Sequence, residues 1–341
     1  MFRTRPNVSI SPLALLTLAA CGGGAAESSG GGGGSTPTFS QSKVLNFEDG
    51  PLHKALAFLD YNNNGTLDAG EPSGRTNVSG GITLTATQAT YTAVGITDDS
   101  TTDASTGAIL SGVTLKAPSN STMVTPTTTL MEESKLTADQ VAKVLGLPDG
   151  IDPLTFSAFS SGVNAADALA VEKANQQLMN VVTAFAAAAK GSGANVEDSF
   201  KAALKAVAEV VKTKAAKLTD VSASTADKKL DFTNTDDLTL IQGQVIKEVA
   251  KNTAVDTGAF GRVATNTITA IENVNVKIGK ASDLSSDASK NIFSTSQALA
   301  FQVKTASEAE ATVSGSGSNT ITFIDSEKVD AATTNTAPTD I

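Results

Sequence analysis

The chain has 341 residues, 40% of them apolar and 4% aromatic, with no Trp, one Cys, one His and a net charge of −10. That length accommodates about two domains. The single Cys excludes internal disulfides and Cys-based zinc sites, and the lone His53 leaves almost no material for histidine-dependent catalysis. The acidic balance disfavours nucleic acid as a partner, and the scarcity of aromatic rings argues against a surface that stacks sugars.

The N-terminus reads as an export signal. Arg3 and Arg5 precede a short apolar stretch, PLALLTLAA, which ends in small residues just before Cys21. A basic start, an apolar core of ~7–15 residues and small residues before the cut are the layout of a secretory leader. Leu18-Ala19-Ala20-Cys21 resembles the bacterial lipobox. The resemblance implies that residues 1–20 are a lipoprotein signal peptide and that Cys21 is the lipidation site and first mature residue. The other reading is an ordinary leader with an incidental Cys. Gly22 leans towards the outer membrane, with periplasmic face or cell surface left open. The expected partner is thus a membrane, reached through an N-terminal lipid. No other stretch approaches ~20 continuous apolar residues, so no transmembrane helix is expected. Residues 21–42, rich in Gly and Ser, read as a flexible tether.

Residues 43–130 read as a small β domain, rich in Thr and Val, with turn signals at NNNG, SGG and APSN. ALAFLD, GITLTAT and GVTLKA are the strand candidates. In GITLTAT, Ile82, Leu84 and Ala86 alternate with Thr83, Thr85 and Thr87, the period of a half-buried strand.

From about residue 136 the period becomes helical. Thr137 caps LTADQVAKVLG, and Gly146 stops it. A long helix follows across 164–190, and Asn195 opens another with Phe200, Leu204, Val207 and Val211 on one face. Further helices carry Leu238, Ile241, Val245 and Val249, then Phe260, Val263, Thr267, Ile271, Val274 and Ile278, with a weaker pattern across 284–312. Each apolar stripe must be buried, and a bundle over 131–312 is the economical solution. Residues 313–341 form a β-like or disordered tail. Its last residues, NTAPTDI, resemble the opening of cadherin-like repeats in large bacterial surface proteins, so the chain is expected to be a fragment of a longer protein or to carry a vestige.

The chemistry-bearing motif is LDYNNNGTLDAGEP. Counting from Asp60, positions 1, 3, 5, 9 and 12 hold Asp60, Asn62, Asn64, Asp68 and Glu71, with Gly65 at 6 and Thr66 at 7. An EF-hand loop takes side-chain oxygens at 1, 3, 5 and 12, a Gly at 6, a backbone carbonyl at 7 and often a water held by 9. Calcium needs ~6–8 oxygens, and alternate residues of a tight loop can aim them inward. The metal set is therefore Asp60, Asn62, Asn64, Thr66, Asp68 and Glu71, with calcium as the cofactor. No His or Cys is present to favour zinc or copper. A metal-free polar turn is the alternative.

Pro72 lacks an N–H and keeps Glu71 extended, so a helix after the loop is disfavoured and the loop is expected between two strands. Residues 60–72, with Gly80-Gly81-Ile82 beyond, resemble the bacterial Cna-B/SdrD-B-like and carboxypeptidase-regulatory-like β-sandwich modules. Ile82 stands where those modules place an aromatic, and only one copy is present where they occur in tandem. The resemblance implies a calcium-rigidified surface or adhesin part.

Asp98, Asp99 and Asp103 could hold a second cation or form a solvated acidic loop. Glu132-Glu133 and Asp236-Asp237 are expected to flank helix starts, where negative charge suits the dipole. The expected fold is α+β and multidomain, a small β-sandwich followed by a helical bundle. The expected function is a calcium-binding surface lipoprotein with a structural or adhesive role and no enzymatic activity. The alternative is an enzyme or accessory binding subunit with its site in the helical half.

Overall fold

The computed structural model describes residues 39–252 and 254–312. The leader, Cys21, most of the tether and the tail lie outside the described residues. The architecture is α+β: small β-sheets over residues 41–125 precede a region of eight helices among the described residues.

The first sheet centres on β1 (Gln41–Phe47), antiparallel to β5 (Gly81–Ala86) and parallel to β9 (Met123–Val124). The second is antiparallel throughout. Its order is β4 (Ser73–Arg75), β3 (Leu56–Asp60), β6 (Thr92–Ile96) and β8 (Thr114–Pro118). A two-stranded ribbon joins β2 (Leu52–His53) to β7 (Thr102–Asp103). In β5 the expected alternation appears: Leu84 and Ala86 are buried and Thr83 and Thr85 exposed, with Ile82 partly covered. β3 and β6 are buried on both faces and form the middle of their sheet. The two main sheets meet where the Phe47 ring lies against Gly95 of β6. A Cβ there would come within 2.5 Å of the ring, so this close approach requires a glycine.

The helices are α1 (Pro126–Ser134), α2 (Ala138–Leu145), α3 (Ala165–Gly191), α4 (Val196–Ala215), the short α5 (Thr225–Lys228), α6 (Thr235–Val249), α7 (Thr257–Gly279) and α8 (Asp287–Thr312). Their starts follow from capping chemistry. Thr137 and Gln140 form a capping box on α2, and Asn164, Asn195 and Asn234 accept first-turn N–H groups of α3, α4 and α6. Gly146 ends α2 in the left-handed conformation, as its sequence position implies. α3 packs against α4, α7 and α8. Its Ala184 and Ala186 to Ala189 are buried, so neighbouring backbones approach closely.

Sheets and helices share one hydrophobic core, running from Leu45, Phe47 and Leu115 to Leu178, Phe185 and Ile271. The described residues cluster as one compact unit. Three local features differ from the sequence reading. Gln41 and Ser42, placed in the tether, belong to β1. Residues 126–130, placed in the β region, open α1: Thr125 and Thr128 form a capping box, and Pro126 supplies a preset φ in the first turn. Glu132-Glu133 lie at the end of α1 rather than at a helix start, and Glu132 pairs with Lys135 at 2.8 Å. Asp236-Asp237 do occupy the first turn of α6. Among the described residues no helix is long and apolar enough to cross a membrane.

Candidate functional site

The loop over residues 61–72 connects β3 to β4, two antiparallel neighbours, so it is a strand–loop–strand element. Asp60 is the last residue of β3 and is 1% exposed. Its carboxylate accepts the backbone N–H groups of Asn64 (3.3 Å) and Gly65 (2.7 Å), which folds the loop back over the strand end. Gly65, at φ +82°, makes the turn there. Asn62 Oδ1 accepts Asn64 N–H (3.0 Å), and Asn64 Oδ1 accepts Thr66 N–H (2.8 Å) and Thr66 Oγ1–H (2.8 Å).

The far half of the loop closes on the same centre. Asp68 Oδ2 receives the side-chain amides of Asn62 and Asn64, both at 2.7 Å. Glu71 bridges the loop ends: Oε1 accepts Tyr61 N–H (2.8 Å) and Oε2 accepts Asp68 N–H (2.9 Å). Tyr61, next to Asp60, packs edge-on to Tyr91 and accepts Thr87 N–H at 2.7 Å, fastening the loop base to the end of β5.

The structure thus brings Asp60, Asn62, Asn64, Thr66, Asp68 and Glu71 into one hydrogen-bonded loop. Among the described residues no group of three or more His, Cys, Asp or Glu side chains is gathered so as to hold a metal ion. The loop offers a mixed set instead, in which amide oxygens stand beside carboxylates. Each carbonyl oxygen has two lone pairs, so an oxygen that accepts an N–H can still face a cation. The donor chemistry fits a hard cation such as calcium. Asp60, Asp68 and Glu71 would supply charge, Asn62 and Asn64 neutral oxygens, and Thr66 its carbonyl.

The loop also faces the helices. Asn64, Gly65 and Thr66 border a cavity of about 220 Å³ whose other walls include Lys116 of β8 and Phe200 and Leu204 of α4.

Asp98, Asp99 and Asp103 are not brought together as a site. Asp98 pairs with Arg75 at 2.7 Å, and with the Ser100 bonds this holds its carboxyl down at about 2 against the opposing effect of burial. Asp99 is exposed, whereas Asp103 is buried at the end of β7. His53 lies in β2 opposite Thr102. Sequence reasoning did not single out Glu48, Asp49 and Glu172, acidic residues that are nonetheless buried. The one available signal is Glu172 beside Val171 on the apolar stripe of α3.

In the helical half, a cleft of about 440 Å³ lies between α4 and the end of α6. Its Lys205 and Glu248 pair at 3.2 Å and Lys251 joins at 2.7 Å. No protein-family model, no curated protein and no solved structure matches this chain.

Proposed function

We propose that the protein is a calcium-binding lipoprotein of the bacterial cell envelope, held at the outer membrane through Cys21, with a structural or adhesive role. The observation that carries this reading is the loop of Asp60, Asn62, Asn64, Thr66, Asp68 and Glu71, whose oxygen-bearing side chains are drawn into one hydrogen-bonded loop. On this reading the sheets around β1 and β3 are a reduced β-sandwich module, and α1 to α8 are a helical bundle built onto it. Calcium rigidifies the β3–β4 connection, and no step of chemistry is assigned.

Calorimetric titration of the full chain tests it. Calcium should bind with a Kd of about 10⁻⁴ to 10⁻³ M, the range of extracellular modules. Asp68→Asn should weaken binding, because it removes a charge from the point where Asn62 and Asn64 converge. A titration with no heat, or an unchanged Kd in Asp68→Asn, refutes the loop as the site.

The cleft between α4 and α6 favours a second reading, an accessory binding subunit in which calcium serves only stability. Its Lys201, Lys205 and Lys251 would then contact an anionic ligand.

A further inference from the structure

Four carboxylic side chains meet where the sheets join α3, and all are nearly inaccessible: Glu48 (4% exposed), Asp49 (4%), Asp103 (3%) and Glu172 (1%). Glu48 and Asp49 occupy the turn between β1 and β2, Asp103 ends β7, and Glu172 sits in the second turn of α3. Gln176, one turn further along α3, donates to Asp49 (3.1 Å) and to Glu172 Oε1 (2.9 Å). Gly50 N–H also donates to Glu172 Oε1, at 3.2 Å. Asp103 presses against the same turn so closely that a Cβ on Gly50 would lie 1.9 Å from its Oδ1.

The donors around the group are neutral. Ser157 Oγ–H bonds Glu48 at 2.5 Å, and Ser105 and Thr106 serve Asp103. No Lys, Arg or His among the described residues pairs with any of the four. Lys173, adjacent to Glu172, donates to the carbonyl of Gly279 instead. The facing part of α8 contributes Ser296 and Gln297, both uncharged. Glu172 Oε2 is fully buried and has no hydrogen-bond partner. Beside Asp49, Asp103 and Gln176 lies a cavity of only about 20 Å³, room for about one water.

Buried carboxylates without cations must be neutralised, because desolvation of an unpaired charge exceeds what such contacts return. We propose that this junction is a proton-operated latch: its four carboxyl groups clamp the β1–β2 turn and β7 onto α3 while they are neutral, and loosen that clamp when they ionise.

The direction of titration agrees with the geometry. Burial pushes Glu48 up to about 7 against its bond from Ser157. Burial, then the charge of Asp103, pushes Asp49 up to about 8. Burial also raises Asp103, and Glu172 is held well above its ordinary value by burial, then by Asp49. Raised folded values mean that the native state holds more protons than the unfolded chain from about pH 4 to about pH 8. Stability is therefore full below that window and falls as pH rises through it. Glu48 alone, moved from 4.5 to about 7, corresponds to a roughly 300-fold fall in the folding constant.

The test is chemical denaturation of the full chain at several pH values, with amide exchange at Gly50 read alongside. Wild-type stability should fall between about pH 5 and pH 8, and Gly50 should exchange faster than pH alone dictates. Glu172→Gln and Asp49→Asn should each flatten the fall and exceed wild type in stability at pH 8, while the exposed control Asp99→Asn should follow wild type. If one of the two variants does not fold, the other carries the same readout. The proposal is overturned by a flat wild-type profile, or by folded variants as steep as wild type and weaker at every pH. It is also overturned if calcium restores stability at pH 8 in a chain carrying Asp60→Ala, since the neutralising ion would then be a metal.

Discussion

Asp60→Ala separates the two roles of the loop. Without metal, the substitution removes the acceptor of Gly65 N–H at 2.7 Å. Asn64 N–H, the weaker partner at 3.3 Å, keeps its bond to Asn62 at 3.0 Å. One charge-assisted bond is lost beside a buried strand end, at a cost of about 2 kcal/mol. With calcium at a hundredfold excess over Kd, the metal contributes about 2.7 kcal/mol to the native state alone, and the variant forfeits that too. The described body spans residues 39–312 around one core, so it should melt as a unit. At ~2.1 cal/mol/K per residue, its unfolding entropy is roughly 0.57 kcal/mol/K. The expected loss in Tm is therefore about 4 °C in chelator and about 8 °C in calcium. Far-UV circular dichroism, which reports the helices, should record both shifts even though the substitution is in the β region. Equal losses in the two conditions would refute calcium binding at this loop. A helical transition unmoved by either condition would refute the shared core.

Cys21→Ser should move the protein from the detergent phase to the aqueous phase on phase partitioning after expression in a host that processes lipoproteins, because it removes the proposed lipid. Phe47→Ala, at a fully buried position between the sheets and the rest of the core, should cost about 3–5 kcal/mol in urea denaturation. Lys214→Met should cost about 3–5 kcal/mol by the same measurement, since it strands Asp237, its ion-pair partner at 2.5 Å with both side chains 10% exposed. The double variant Lys214→Met/Asp237→Leu should recover most of that loss, because no unpaired charge remains.

The parts of this protein that were legible in its sequence are those whose determinants lie close together along the chain. The residues of the candidate loop fall within twelve positions, and Pro72 reports that strands flank them. The stripe on α7 and the caps Thr137, Asn195 and Gly146 likewise involve neighbours within a turn or two. β1 was hidden because its seven residues follow a Gly/Ser run and only Leu45 and Phe47 are buried. α1 was hidden because TPTTTL has β-favouring threonines, and its helical state depends on a capping box and on contact with β8. The acidic junction was nearly illegible. Its members come from residues 48, 49, 103 and 172, and beyond the place of Glu172 beside Val171 on the α3 stripe nothing in the local sequence marks them as buried.

The alanine-rich end of α3 bears on the timing of synthesis. Ser192 at the end of α3 shares a hydrogen bond with Ser307 of α8, and Ser307 also donates to the carbonyl of Ala188, so the cover for this segment is 115 to 119 residues downstream. At ~5–20 residues per second, the segment waits roughly 6–24 s for α8 to emerge. A stripe of Leu or Phe would spend those seconds as adhesive surface. Ala184 and Ala186 to Ala189 present single methyl groups, each with little apolar area to offer a neighbouring chain. The segment that later packs among neighbouring helices thus offers little adhesive surface during the delay. Substituting Ala187 by Leu should raise the aggregated fraction during synthesis.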